Sequence, residues 1–430
     1  MRQLFPITAL LFGSALLLFA GGMNSLILPI RGAEEGFSAA SLGILGTGWA
    51  LGYVAGCVIT PPLVGKVGHI RAFGVMAAFA AVAVLLSLIL ITPYAWVPLR
   101  AISGFCFAGA AMIVESWLSE RADPRSRGRI FGIYTMVNLV ASTAGQLVLT
   151  LGDPSGFLFF VLPAIFYCLS LVPTAISTSA VPKPLVSVRL DLRALWRNSP
   201  VAVFGVLCVG ISNSAFGTLA AVYADRVGLA VSSVALFASL PVLAGALSQV
   251  PIGYLSDRMD RRKVLVVVAG AALMADLVFI LMPVTGTTGL LALSAGFGAA
   301  IYAMYPIIIA HANDHAPEGT AIQVSGGLLM VFGLGSIAGP AVAGFAMTGL
   351  GEWGLFLTSA GAHLLLILFA LLRIVTRAPV ETEDKASFVP APAARALTPE
   401  TVALAVGEET ENEDLPSVQQ QDQDGDNNLR

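Results

Sequence analysis

The chain has 430 residues, of which 57% are hydrophobic and 11% charged, with a net charge of −3. A soluble domain carries about 25% charged residues, so this chain has too little charge to cover a surface in water. Lipid is the solvent that suits it. In lipid every backbone polar group must be satisfied internally, so the expected class is an all-α polytopic membrane protein. Long unbroken apolar runs, not the weak alternation of a β-barrel, point the same way.

From the start, Met1 to Pro6 lead straight into an apolar run that continues to Ile30. No small-residue cleavage site follows, so the run reads as a first span and not as a removed signal. Stretches of about 20 apolar residues predict twelve spanning helices: 7–30, 39–64, 72–92, 96–118, 130–150, 157–178, 200–224, 232–255, 264–284, 289–311, 322–347 and 354–376. Residues 1–178 then form one six-helix bundle and 200–377 a second. The polar stretch 179–199 links them, with room for a short interfacial helix.

The stretch 378–430 changes character. Twelve acids against three bases leave it nine units negative and the remainder six positive. With its Gln, Asn and Pro content it is expected to be a disordered acidic tail. Loops on one side of the predicted spans hold seventeen Lys and Arg; the opposite loops hold only Arg31 and Arg226. The positive-inside rule then places both termini in the cytoplasm of a bacterial inner membrane.

Nothing in the sequence points to an enzyme. No nucleotide-binding glycine motif and no metal-ligand cluster occurs, so no cofactor, metal or nucleic acid is expected. Cys57, Cys106, Cys168 and Cys208 lie singly in apolar runs and read as packing residues. Ionisable side chains within spans are candidates for function. Arg100, near the outer start of span four, is either a snorkelling anchor or a buried cation at the cavity. Glu115, on the same helix about 22 Å away at about 1.5 Å per residue, is either an interfacial anchor or a proton carrier. Asp276, His311 and His363 rank lower. The amides Asn24, Asn138, Gln146, Asn213 and Gln249 suit either a mostly neutral central cavity or hydrogen bonds between helices.

The chain also repeats itself. Pro61–Arg71 aligns with Gly253–Lys263 at an offset of 192, and Gly104 with Gly296 at the same offset. Ser142-Thr143-Ala144-Gly145-Gln146 aligns with Ser336-Ile337-Ala338-Gly339-Pro340 at 194. Between spans eight and nine stands Gly253-Tyr254-Leu255-Ser256-Asp257-Arg258-Met259-Asp260-Arg261-Arg262. This resembles the loop signature of the major facilitator superfamily, G-x-x-x-D-R-x-G-R-R, with Asp260 in place of the second glycine. The first-half counterpart keeps Pro61, Gly65, Lys66, Gly68, His69 and Arg71 but has Gly65 where the acid belongs. Arg100 to Gly104 with Gly109, and Gly335 to Pro340 with Gly344, resemble two helix motifs of the same family. Together with Val114-Glu115-Ser116, Arg127-Gly128-Arg129 and Tyr305-Pro306, the set resembles its YcaD-like branch.

The resemblance implies two pseudo-symmetric bundles that rock about a central site. Gly253, Asp257, Arg258, Arg261 and Arg262 would form a cytoplasmic latch, with Asp257 near Gly128 and Arg129 at the start of span five. Gly335, Gly339, Pro340 and Gly344 would form a helix-packing motif, or a sign of antiport. The function implied is proton-coupled efflux of a small organic compound by a monomer in the bilayer. Proton-coupled uptake of a sugar or organic acid, and a non-transporting sensor on the same fold, are the alternatives.

Overall fold

The computed structural model describes residues 5–121, 127–176, 185, 191–282, 286–317, 319–376, 380, 385, 388–390 and 398–401. Within them the chain is helical throughout. The first half contains α1 (Phe5–Glu34), α2 (Ala39–Val67), α3 (His69–Ile89), α4 (Pro93–Arg121) and α5 (Arg127–Leu147), then the pair α6 (Leu158–Leu169) and α7 (Leu171–Ile176). A short α8 (Leu192–Asn198) precedes the second half: α9 (Pro200–Arg226), α10 (Val231–Arg258), α11 (Arg261–Leu281), α12 (Thr287–Asn313), α13 (Ala321–Leu350) and α14 (Gly354–Thr376). Eleven of these helices are long and apolar enough to cross a membrane, and the broken α6–α7 pair supplies a shorter twelfth. That pair corresponds to the predicted span 157–178. It breaks at Ser170, between Pro163 and Pro173, because a proline removes one rung of the helical hydrogen-bond ladder.

The repeat is visible in the packing. α2 lies on α4 as α10 lies on α12; α1 pairs with α5 as α9 pairs with α13; α3 meets α6 as α11 meets α14. Gly36 (φ 76°) and Gly228 (φ 82°) end the first helix of each half in the left-handed region, which a β-carbon disfavours. The alignment of Gly104 with Gly296 needs correction. Gly104 packs on Trp49 and Gly298 on Pro241, whereas Gly296 has open space around it. Gly298 is therefore the packing equivalent of Gly104, an offset of 194.

The turn before each third helix differs between halves. Gly68 opens α3 with φ 84° and no side-chain cap. Asp260, its equivalent, opens α11 with φ −55° and accepts a hydrogen bond from the Arg262 N–H at 3.0 Å. An aspartate does the capping work that a glycine leaves undone, which explains the departure from the family pattern.

Large apolar side chains such as Phe79, Leu247, Val267 and Leu371 face outward, as a lipid-exposed surface requires. α8 begins at Asp191, whose carboxylate caps Ala194 at 2.9 Å. It is tied down by Asn198, whose Nδ2 donates to the Ala312 carbonyl at 3.0 Å. We call the end of the bundle carrying the α2–α3 and α10–α11 turns the basic end.

Candidate functional site

The two halves meet along two seams. At the end opposite the basic one, α2 packs on α13 through small residues. A β-carbon on Gly43 would strike the Pro340 carbonyl and lie 3.1 Å from Gly344 Cα. One on Gly344 would strike the Ala39 carbonyl. The Ala40 N–H donates to Thr348 Oγ1 at 2.9 Å, and Thr47 Oγ1 donates to the Ile337 carbonyl at 2.7 Å. The pseudo-symmetric seam, α5 against α10, is looser; Gly132 on α5 has nothing within 4 Å of a β-carbon position.

Between the seams lies a cavity of about 430 Å³. The first half supplies most of its wall: Asn24 from α1, Trp49 from α2, Arg100 and Phe107 from α4, Asn138 and Gln146 from α5, and Tyr167 from α6. The second half contributes Val242, Ala246 and Gln249 of α10 and Tyr302 of α12. The wall extends down α5 to Phe131, near its basic-end start, so the cavity opens toward that end. Two buried oxygens on this wall, Asn24 Oδ1 and Thr135 Oγ1, have no protein partner. Buried polar atoms are normally paired, so these two are exceptions among the described residues. Arg100 is 7% exposed, and no carboxylate stands on the described wall.

The predicted candidates divide. Asn24, Arg100, Asn138, Gln146 and Gln249 are brought together on one cavity. Asn213 is not; it lies inside the second half, its Nδ2 donating to the Ile301 carbonyl at 3.4 Å. Glu115, 1% exposed, sits beneath the cavity wall. It accepts from Tyr134 Oη at 2.9 Å and from Thr401 Oγ1 at 2.7 Å, and also from Thr398 Oγ1. Asn138, which lines the cavity, follows Tyr134 by one turn of α5, and Ser14 Oγ donates to Asn138 Oδ1 at 2.9 Å. Glu115 is thus held by a tyrosine, which sequence reading did not single out, one helical turn from a residue of the cavity wall. A tyrosine in an apolar span gives no signal until its partners are placed.

Asp276 and His363, ranked low from sequence, are paired. His363 Nδ1 lies 2.7 Å from Asp276 Oδ2, and its Nε2 lies 2.9 Å from Ser212 Oγ. Ser359 Oγ donates to Asp276 Oδ1 at 2.5 Å. This cluster joins α9, α11 and α14 in the interior of the second half, apart from the cavity.

At the basic end, the latch residues engage within their own half. Arg261 is 1% exposed; its Nε donates to Asp314 at 2.7 Å and its Nη1 to Asp257 at 3.1 Å. Arg258 lies over the Tyr254 ring, 4.0 Å from its centroid, so Arg261, not the arginine beside Asp257, holds the acid at the end of α12. Arg262 pairs with Asp260 at 2.8 Å and donates to the Arg373 carbonyl at 3.1 Å. Burial works against the Asp260 charge, but the hydrogen bonds and charge of Arg262 outweigh it and hold the carboxyl below its ordinary range. The surroundings of Gly128 and Arg129, the expected partners of Asp257, lie outside what is described. Gly335 and Gly339 pack tightly on α9, at Leu207 and Ile211, so close helix packing accounts for both.

The described part of the acidic stretch is not detached. Lys385, Phe388–Pro390 and Thr398–Thr401 pack on the bundle; Thr398 is 0% exposed and Thr401 1%. The expectation of a disordered tail does not hold for these positions. The rest of 378–430, apart from Val380, lies outside the described residues.

A family model described as Major Facilitator Superfamily matches residues 10–326 and 202–406. An uncharacterized MFS-type transporter YcaD from Salmonella typhi is 28% identical over 394 residues, covering 87% of this chain and 97% of that protein. Its counterpart from Salmonella typhimurium is 27% identical over 386 residues, covering 85% and 95%. Among solved structures, the nucleoside transporter NupG superposes with a TM-score of 0.71 at 16% identity, covering 85% of this chain and 98% of that one. A bacterial homolog of the human lysosomal transporter Spinster, inward-facing and occupied, superposes at 0.67 with 16% identity, covering 90% and 98%. At these identities the structures speak for the fold alone.

Proposed function

Since the chain belongs to the major facilitator superfamily, within its YcaD-like branch, and is a membrane transporter by that membership, we propose that it works by alternating access and exports a small organic compound in exchange for protons. The observation that carries this reading is the cavity between the halves. It is closed at the α2–α13 seam, opens toward the basic end, and is lined by amides, aromatic rings and one guanidinium. Its 430 Å³ fall within the range of about 300–1,000 Å³ typical of small-molecule sites. A wall with no carboxylate among its described residues suits a neutral or anionic solute better than a cation.

The positive-inside bias turns the basic end and both termini to the cytoplasm of a bacterial inner membrane. With its mouth free, a cavity open to the basic end takes up solute from the cytoplasm, which is the loading step of export. Glu115, bonded to Tyr134 one turn of α5 from the wall residue Asn138, is the group we assign to proton coupling. The purified protein in proteoliposomes, screened against a metabolite panel under an imposed pH gradient, tests the reading. Solute and protons should move in opposite directions. Co-directional movement overturns export, and a panel with no gradient-driven solute overturns coupling.

A further inference from the structure

The described residues Lys385, Phe388–Pro390 and Thr398–Thr401 touch both halves at the cavity mouth. Lys385 Nζ donates to the carbonyl of Met259 at 2.7 Å, where α10 ends. Three residues on, the Phe388 ring lies over Gly253, filling the space a β-carbon would need. Val389 and Pro390 then stand on the wall of the central cavity itself. On the other half, Thr398 and Thr401 donate two hydrogen bonds to the Glu115 carboxylate. Thr401 is presented by a local turn in which its own N–H donates to Thr398 Oγ1 at 3.2 Å.

These contacts are of different kinds and fall on opposite walls. One end is anchored by an ammonium on helix-terminal carbonyls, where the helix dipole favours a cation. The middle is an aromatic ring seated on a glycine. The far end supplies two hydroxyl donors to a buried carboxylate, beside the one from Tyr134. A stretch that merely lay along the surface would not place apolar residues in the cavity and hydroxyls on a carboxylate with 1% exposure.

We propose that the open mouth of the cavity is a peptide-binding site whose occupant is this chain's own C-terminal segment. Docked there, the segment ties α10 to α4 and occupies space that a solute must cross. The seam cannot close on it, so it holds the transporter in the basic-end-open state. It must leave before the cycle proceeds. This regulation rests on the transport reading, because only a transport pathway gives the docked segment something to block; docking itself does not depend on it.

Docking is tested in the full chain with Gly253→Cys and Phe388→Cys together, in a Cys168→Ser background that removes the exposed native thiol. Mild oxidation should join residues 253 and 388, detected by mass spectrometry of the digest. Absence of the cross-link overturns the proposal. Accessibility is the second measurement: Thr135→Cys on the cavity wall, reacted with N-ethylmaleimide from the basic end. Phe388→Asp with Thr398→Val and Thr401→Val should raise that rate about tenfold, as when a docked form outweighing the released one by about 10 to 1 is lost. An unchanged rate overturns the proposal even if the cross-link forms. Neither measurement uses transported solute, so a failed solute screen removes the transport reading and leaves the test of docking standing.

Discussion

The two seams between the halves are related by the repeat yet built differently, and their difference defines the state of the molecule. α2 and α13 meet backbone to backbone, through Gly43, Gly344 and Pro340, with side-chain hydrogen bonds from Thr47 and Thr348. α5 and α10 present similar small residues, Gly132 and Gly253, but Gly132 faces open space and Gly253 is covered by Phe388. Small residues stand on both seams, though not at repeat-equivalent places, since Gly253 aligns with Pro61; only the α2–α13 seam is packed backbone to backbone. Which one closes is decided by what occupies the mouth, not by propensity.

The largest expected effect comes from the node that shapes the open seam. Arg261 serves Asp314, whose side chain is 2% exposed. Arg261→Ala removes a buried partner of that carboxylate, and breaking a buried pair from one side costs up to about 3–5 kcal/mol. The variant should unfold at clearly lower temperature than wild type in a thermal melt in detergent. An unshifted melt would mean that α10, α11 and α12 are not held together there.

Next comes the closed seam. Gly43→Leu drives a side chain into the Pro340 backbone, and overpacking of this kind costs about 1–3 kcal/mol. At about 1.4 kcal/mol per factor of ten, the seam should lose at least about fivefold in closed population. Spin labels at positions 40 and 348 should report a longer distance. Labels that stay together would show that this seam closes without its glycines.

Glu115→Gln removes the charge and turns one acceptor oxygen into an NH2 donor, so the bonds from Tyr134 and Thr401 to Oε1 can survive while the one from Thr398 to the other oxygen is lost. We expect it to insert normally and to lose about tenfold in pH-driven flux, with a flattened pH–rate profile. An unchanged profile removes Glu115 from the proton path and leaves it as the anchor for Thr398 and Thr401.

Much of this was legible in the sequence, because apolar length and repeated small residues are strong signals in a membrane protein. The twelve spans, the duplication and the cavity amides Asn24, Asn138, Gln146 and Gln249 all follow from pattern. What escaped depends on the third dimension. Asn213 is the same residue type on the repeat-mate helix, but it falls three positions short of the 192 offset and its side chain turns into its own half. His363 and Asp276 are 87 positions apart, and only the packing of α11 on α14 makes them a pair. The residues Lys385, Phe388–Pro390 and Thr398–Thr401 belong to a stretch that is nine units negative as a whole, so its composition assigns it to water; their docking depends on the shape of the mouth.

The smallest effect concerns the departure at Asp260. Its carboxyl caps α11 and pairs with Arg262, and its side chain is 11% exposed. Replacing it with the family's glycine removes the charge and the cap; exchange to glycine at a cap costs a few tenths of a kcal/mol, and loss of the partly exposed pair adds about 0.5–1 kcal/mol. The sign of its pH dependence is set by its depressed folded-state ionisation. Stabilisation from such a group is present above the ordinary carboxylate range and is lost as pH falls through the lower folded value. Wild type should therefore melt slightly higher than Asp260→Gly near about pH 7, with the gap closing toward about pH 3, below the ordinary aspartate range. The Arg262 bond to the Arg373 carbonyl survives in both, so the loss stays small. A gap that persists undiminished in acid would show that the aspartate acts by its backbone conformation and not by its charge.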